Sequence, residues 1–181
     1  MNTGTQATAH TLVLGGIRSG KTALAESVAT TWDRATYVAT ATAGDDEMAL
    51  RIARHREGRP EHWGVVEEPL HLAGVLETQA GSDHPPGLLI DCMSLWVSNL
   101  LFAGEGVLEF ERNRFLETLT DYPAPVAIVS NEVGLGTIGM DPLTRRFADE
   151  LGWLNQALAA RCHRVVLSVA GLPQVLKWPA L

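Results

Sequence analysis

The chain has 181 residues, 46% of them hydrophobic, which suits one domain with a sizeable core and is too short for two ordinary ones. A formal net charge of -7 argues against general binding to nucleic acid or to an anionic membrane, since phosphate-rich partners repel an acidic surface. Any phosphate it binds must therefore meet a local basic patch.

Met1 to His10 is small and polar and reads as a disordered or extended tail, leaving one domain over 11–181. Strands are expected at Thr11 to Leu14, Thr36 to Thr40, Gly87 to Asp91, Pro125 to Ser130 and Arg164 to Val169, all short and mostly apolar. Between them, amphipathic stretches predict helices at Lys21 to Thr31, Asp46 to Arg56, Pro69 to Gln79, Ser94 to Phe102, Leu108 to Thr120 and Pro142 to Arg161. Asp141 followed by Pro142 gives an N-cap and then a proline at the first helical position, where its missing N–H is harmless. Ala80 to Pro86, rich in Gly, Ser, Asp and Pro, reads as a surface loop.

This alternation predicts βα units, a mostly parallel sheet and ligands at the carboxyl ends of the strands. No apolar run approaches the length of a membrane span and the first residues lack a charged leader, so a soluble, cytoplasmic protein is expected. Cys92 and Cys162 lack the spacing of a metal site and read as reduced, mostly buried thiols, while His163 would cap the helix before it.

Gly15-Gly16-Ile17-Arg18-Ser19-Gly20-Lys21-Thr22 fits G-x-x-x-x-G-K-[ST] between an apolar strand and a helix. Glycines let the backbone curl around phosphate with its N–H groups inward, where side chains would block the approach. Lys21 would neutralise the β- and γ-phosphates, Thr22 would place a hydroxyl on Mg²⁺, and Arg18 would add a second positive charge. Four fixed positions arise by chance in well under about one in a hundred chains this long.

The metal needs a second acidic group, usually at the end of another apolar strand, and Leu88-Leu89-Ile90-Asp91 supplies one. The alternative for Asp91 is the N-cap of the helix at Ser94, and a carboxylate there could serve both roles. The switch and guanine motifs of regulatory GTPases are missing: Asp91-Cys92-Met93-Ser94 lacks the glycine, and Asn131-Glu132-Val133-Gly134 lacks the lysine and aspartate. A kinase or nucleotidyltransferase is therefore the better class.

Asp45 to Pro60 concentrates four arginines in an acidic chain, with Met48, Ile52 and His55 on one helical face and Arg51, Arg54 and Arg56 around it. One reading is a solvated basic helix whose histidine edges the core. The other is a nucleophile: a neutral imidazole attacks an activated phosphorus while arginines hold the phosphoryl oxygens.

These residues resemble the bifunctional adenosylcobinamide kinase and adenosylcobinamide-phosphate guanylyltransferase family of cobalamin biosynthesis. The likeness rests on Gly15 to Thr22, Tyr37-Val38-Ala39-Thr40, Asp45-Asp46-Glu47-Met48 with Arg51-Ile52 and His55, and Gly58-Arg59-Pro60 with His62-Trp63. It continues through Val97 to Phe102, Asn131 to Gly136, Arg145-Arg146-Phe147 and Asn155-Gln156. The resemblance implies a RecA-like P-loop α/β fold, a homotrimer, and His55 as the guanylylated histidine. It implies a guanine nucleotide site lined by Thr40, Ala41, Thr42, Arg56, Glu57, Gly58, Arg59 and Glu67.

The implied chemistry is phosphorylation of adenosylcobinamide by ATP or GTP with Mg²⁺, then GMP transfer from GTP to give adenosylcobinamide-GDP. The chain departs from the family's pattern at Asp91, where glutamate often stands, and at Arg54, where a second histidine can stand. Two other readings stay in view: a one-step small-metabolite kinase that forms no adduct, and a nucleotide-sensing module without turnover.

Overall fold

The computed structural model describes residues 9–42, 60, 62–137 and 139–178. In chain order the elements are β1 (Thr11–Gly15), α1 (Lys21–Ala29), β2 (Ala35–Ala39), β3 (Gly64–Glu67), α2 (Leu72–Ala80) and β4 (Gly87–Asp91). There follow α3 (Met93–Ala103), α4 (Val107–Asp121), β5 (Val126–Asn131), α5 (Pro142–Arg161), β6 (Arg164–Val169) and β7 (Leu172–Lys177). Among the described residues seven strands form one sheet in the order β3-β2-β4-β5-β1-β6-β7. Every pairing is parallel except β6 with β7.

The central strands are apolar because both sheet faces are covered, as parallel sheets require. Period-two alternation sends Leu12, Leu88, Ile90, Val126 and Ile128 into one cluster with Leu72, Trp96, Phe115 and Leu154. Their neighbours Val13, Leu89, Ala127 and Val129 fall in a second cluster with Ala25 and Ala29 of α1 and with Tyr37 and Trp63. The two alanines on the inner side of α1 seat that helix close to the strand tips. In the larger cluster Trp96 and Phe115 meet edge to face, with ring centroids 5.1 Å apart.

The expected cap of α5 is present: Asp141 Oδ1 accepts from Thr144 N–H at 2.8 Å, with Pro142 in the first turn. β3 and β7 lie outside the strands expected from sequence. Both are edge strands, and β7 is exposed along its whole length with Pro173 inside it, so neither carries the burial signal that marks the others. β7 returns on β6 through Ala170 and Gly171, at φ 52° and 80°, the left-handed pair that a two-residue hairpin turn needs.

His10, read from the sequence as part of the tail, is instead 5% exposed. Its Nε2 lies 3.0 Å from Leu119 O, and its backbone N–H donates to Nδ1 of His163 at 3.2 Å. The sequence places His163 as the cap of α5; instead Cys162 occupies that cap position and His163 accepts a main-chain hydrogen bond from His10. Both cysteines are free thiols, Cys162 buried and Cys92 half-buried. Among the described residues no helix is long and apolar enough to cross a membrane.

Candidate active site

Gly15 ends β1, and the chain then curls through Gly16 to Gly20 into α1. Arg18 and Gly20 take φ 55° and 90°, left-handed values that reverse the backbone within two residues. The carbonyl of Gly16 accepts from Ser19 N–H at 3.3 Å and from Lys21 Nζ at 3.0 Å, so the ammonium is folded over its own loop. α1 starts at Gly20 with no side-chain cap, which leaves its first N–H groups for an anion. Ile17, at the crest of the loop, is 84% exposed.

Asp91 ends β4 two strands away from β1. Its Oδ2 accepts from Thr22 Oγ1 at 3.0 Å and from Tyr37 OH at 2.9 Å. The N-cap alternative is excluded by position: the residue capping α3 is Cys92, with no side-chain cap bond. Octahedral Mg²⁺ holds oxygens at 2.0–2.1 Å, which sets neighbouring ligand oxygens about 2.9 Å apart. The Thr22 and Asp91 oxygens already stand at nearly that separation, so a hydroxyl and a carboxylate fit this metal. Among the described residues no group of three or more His, Cys, Asp or Glu would hold a metal by itself. That suits an ion completed by water and substrate phosphates.

The next positions along the sheet edge are Thr40 to Thr42 and Glu67. Register aligns Glu67 with Ala39, and Ala39 with Asp91. Glu67 lies four strands from Gly15, roughly 19 Å at an interstrand spacing of about 4.8 Å. The structure thus brings Lys21, Thr22 and Asp91 together and sets Glu67 apart along the same edge. Thr40 is fully buried, its hydroxyl donating to Cys92 O and accepting from Cys92 N–H, each at 2.8 Å. Ala41 is half-buried and Thr42 exposed. Burial, and then the Asp91 carboxylate, pushes the Cys92 thiol up, so it stays protonated beside Ser94. His55, Arg56, Glu57, Gly58 and Arg59 lie outside the described residues.

Sequence reasoning missed three contributors. Tyr37 is 2% exposed and sends its hydroxyl to Asp91; its signal was a polar-tipped aromatic two residues from the end of an apolar strand. Asn99, in a mostly apolar helix, donates its amide to Thr40 O at 2.8 Å and to Pro69 O at 3.1 Å, tying the loops after β2 and β3 together. Ser168, buried in β6, reaches the phosphate loop, and only the strand order reveals that.

The model of the cobinamide kinase / cobinamide phosphate guanyltransferase family matches residues 11–176. The bifunctional adenosylcobalamin biosynthesis protein CobP of Pseudomonas aeruginosa is 50% identical over 168 residues, covering 92% of this chain and 96% of the relative. The bifunctional adenosylcobalamin biosynthesis protein CobU of Escherichia coli K12 is 37% identical over 180 residues, covering 92% and 98%. Among solved structures, one studied as PH0250 from Pyrococcus horikoshii superposes with a TM-score of 0.53 at 9% identity, over 96% of this chain and 88% of that one. An ATPase from a bacterial type III secretion system gives 0.52 at 12% identity, over 93% of this chain and 57% of that one, a likeness of fold alone. The fold is that of the P-loop nucleotide-binding proteins, and the chain belongs to the cobinamide kinase / cobinamide phosphate guanyltransferase family.

Proposed function

We propose that this enzyme phosphorylates the aminopropanol hydroxyl of adenosylcobinamide with ATP or GTP and then transfers GMP from GTP to adenosylcobinamide phosphate, giving adenosylcobinamide-GDP. The observation that carries the reading is the pairing of Thr22 Oγ1 with Asp91 Oδ2 at 3.0 Å beside an intact phosphate loop, in a chain of this family. In the kinase step the substrate hydroxyl oxygen bonds to the γ-phosphorus, the bond to the β-phosphate oxygen breaks with its electron pair going to the departing nucleoside diphosphate, and the hydroxyl proton passes to solvent water. Lys21 and the N–H groups at the start of α1 hold the charge on the departing phosphates. Thr22 and Asp91 would hold Mg²⁺, which when bound neutralises phosphate charge.

In the second step a neutral ring nitrogen of His55 attacks the α-phosphorus of GTP and pyrophosphate departs, leaving GMP on the histidine. An oxygen of adenosylcobinamide phosphate then attacks that phosphorus and the nitrogen–phosphorus bond breaks. Thr40 to Thr42, Arg56 to Arg59 and Glu67 line the guanine nucleotide in this reading. The lateral spread of Gly15, Asp91 and Glu67 along one sheet edge supports a site long enough for phosphates at one end and a base at the other.

A homotrimer belongs to the same reading, supported by exposed Leu172, Val175 and Leu176 on edge strand β7; sedimentation equilibrium tests it. So does a cytoplasmic location. The chemical test uses GTP labelled at the α-phosphate: an acid-labile, alkali-stable adduct should form with Mg²⁺ and discharge to a GDP-linked product when adenosylcobinamide phosphate is added. Absence of the adduct, or its persistence in His55→Ala, refutes the covalent route.

A further inference from the structure

The turn between β6 and β7 is seated directly against the phosphate loop. Ser168 Oγ donates to Ser19 O at 2.8 Å, and Gly171 N–H donates to the same carbonyl at 2.8 Å. Both ends of the loop are in contact with this hairpin. A Cβ on Gly20 would stand 3.0 Å from Gly171 Cα, and one on Gly15 would stand 2.8 Å from Ser168 O. Ser168 itself is 1% exposed, so its hydroxyl is not available to bulk solvent as an alternative partner. The Ser19 hydroxyl is buried with no partner among the described residues, so at this residue the hairpin grips the main chain.

A trans peptide is planar, and its C=O and N–H point in opposite directions. The bond between Ser19 and Gly20 is trans. Two donors that fix the Ser19 carbonyl toward the hairpin therefore turn the Gly20 N–H away from the hairpin. Without them a peptide plane next to a glycine at φ 90° is free to rotate, and the N–H would have to be reoriented on every binding event.

We propose that Ser168 is a positioning residue for phosphate binding: with Gly171 N–H it locks the Ser19–Gly20 peptide so that the Gly20 N–H is aimed at a phosphate oxygen before the nucleotide arrives. The proposal rests on the reading of Gly15 to Thr22 as a phosphate loop. It adds a residue from the far end of the chain that no loop motif contains.

The test measures MgADP affinity by calorimetry and follows the Gly20 amide in a proton–nitrogen NMR spectrum. Wild type should show a downfield shift of the Gly20 amide proton on MgADP binding. Ser168→Ala should bind MgADP about fivefold more weakly, the effect of one net hydrogen bond, with a smaller Gly20 shift. Ser168→Thr, which keeps the hydroxyl, should restore both. Ser130→Ala removes an equally buried serine hydroxyl whose partner is Asn155. It should lower the melting temperature without moving MgADP affinity.

If Ser168→Ala binds within a factor of about 1.5 of wild type and the Gly20 shift is unchanged, the positioning role is overturned, whatever happens to stability. Should Ser168→Ala fail to fold, Ser168→Cys carries the same test, because a thiol of similar size is a poor donor. Failure of the wild type to bind MgADP or MgGDP would overturn the phosphate-loop reading itself.

Discussion

Replacing Tyr37 with phenylalanine removes one hydroxyl and nothing else, and the structure says what that hydroxyl does. It donates to Asp91 Oδ2 at 2.9 Å, the same oxygen that receives Thr22 at 3.0 Å. A hydrogen bond to a charged group is worth about 1.5–3 kcal/mol, and the half-buried setting of Asp91 places this one near the lower end, about 1.5 kcal/mol. For a chain of this size each kcal/mol shifts the melting temperature by about 2–4 °C, so Tyr37→Phe should melt about 3–6 °C lower. The carboxylate would also be freer to rotate away from Thr22, and losing an orienting partner of a metal ligand typically weakens metal binding about tenfold. Circular dichroism reads the first effect; a Mg²⁺ titration of fluorescent nucleotide binding reads the second. An unchanged melting temperature together with an unchanged Mg²⁺ midpoint would refute the reasoning that Tyr37 holds Asp91. A lower melting temperature with an unchanged midpoint would make the Tyr37 hydroxyl bond structural only, with no part in metal binding.

Gly20→Ala forces a Cβ onto a residue at φ 90° and to 3.0 Å from Gly171 Cα, so MgADP binding should fall more than about a hundredfold while the far-ultraviolet spectrum stays native. Asn155→Ala strands the Ser130 hydroxyl, bonded at 2.6 Å, and the Asn131 carbonyl, bonded at 3.0 Å. Urea unfolding should show a loss of about 2–4 kcal/mol. His10 is held below the usual histidine range first by burial and then by His163, although its bond to Leu119 O opposes this. The unfolded chain therefore takes up this proton before the folded one does. Stability should be full above the unfolded value of about 6.5 and decline below it by up to about 1.4 kcal/mol per pH unit. Melting temperature against pH should show that decline, and His10→Gln should flatten it.

Much of the fold was legible because the central strands are buried on both faces. β4, α5 and β6 begin and end where the sequence puts them, since continuous apolar runs and the Asp141-Pro142 cap leave little choice. The edges were not legible: Gly64–Glu67 and Leu172–Lys177 bury too little to imprint a pattern, and their pairing is a property of the neighbouring strand. Asp91 shows the same division within the site. Its place at the end of an apolar strand is a local fact, whereas the choice between helix cap and partner of Thr22 depended on where β4 lies relative to α1. His10 shows it in reverse. Its short, polar surroundings read as tail, and only the proximity of α4 and His163 makes it core.

The amino-acid sequence by itself determined the phosphate loop, the α/β alternation and the family, because each is encoded in contiguous residues whose spacing is chemically constrained. Tertiary structure decided which distant groups complete the loop. Tyr37 and Asn99 hold the ends of β2 and β4, and Ser168 with Gly171 fixes the Ser19 carbonyl from nearly 150 residues away, 149 by the count of the Ser168 bond. These contacts exist because the strand order sets β1 between β5 and β6 and puts β4 beside β2, and no local pattern of residues carries that order.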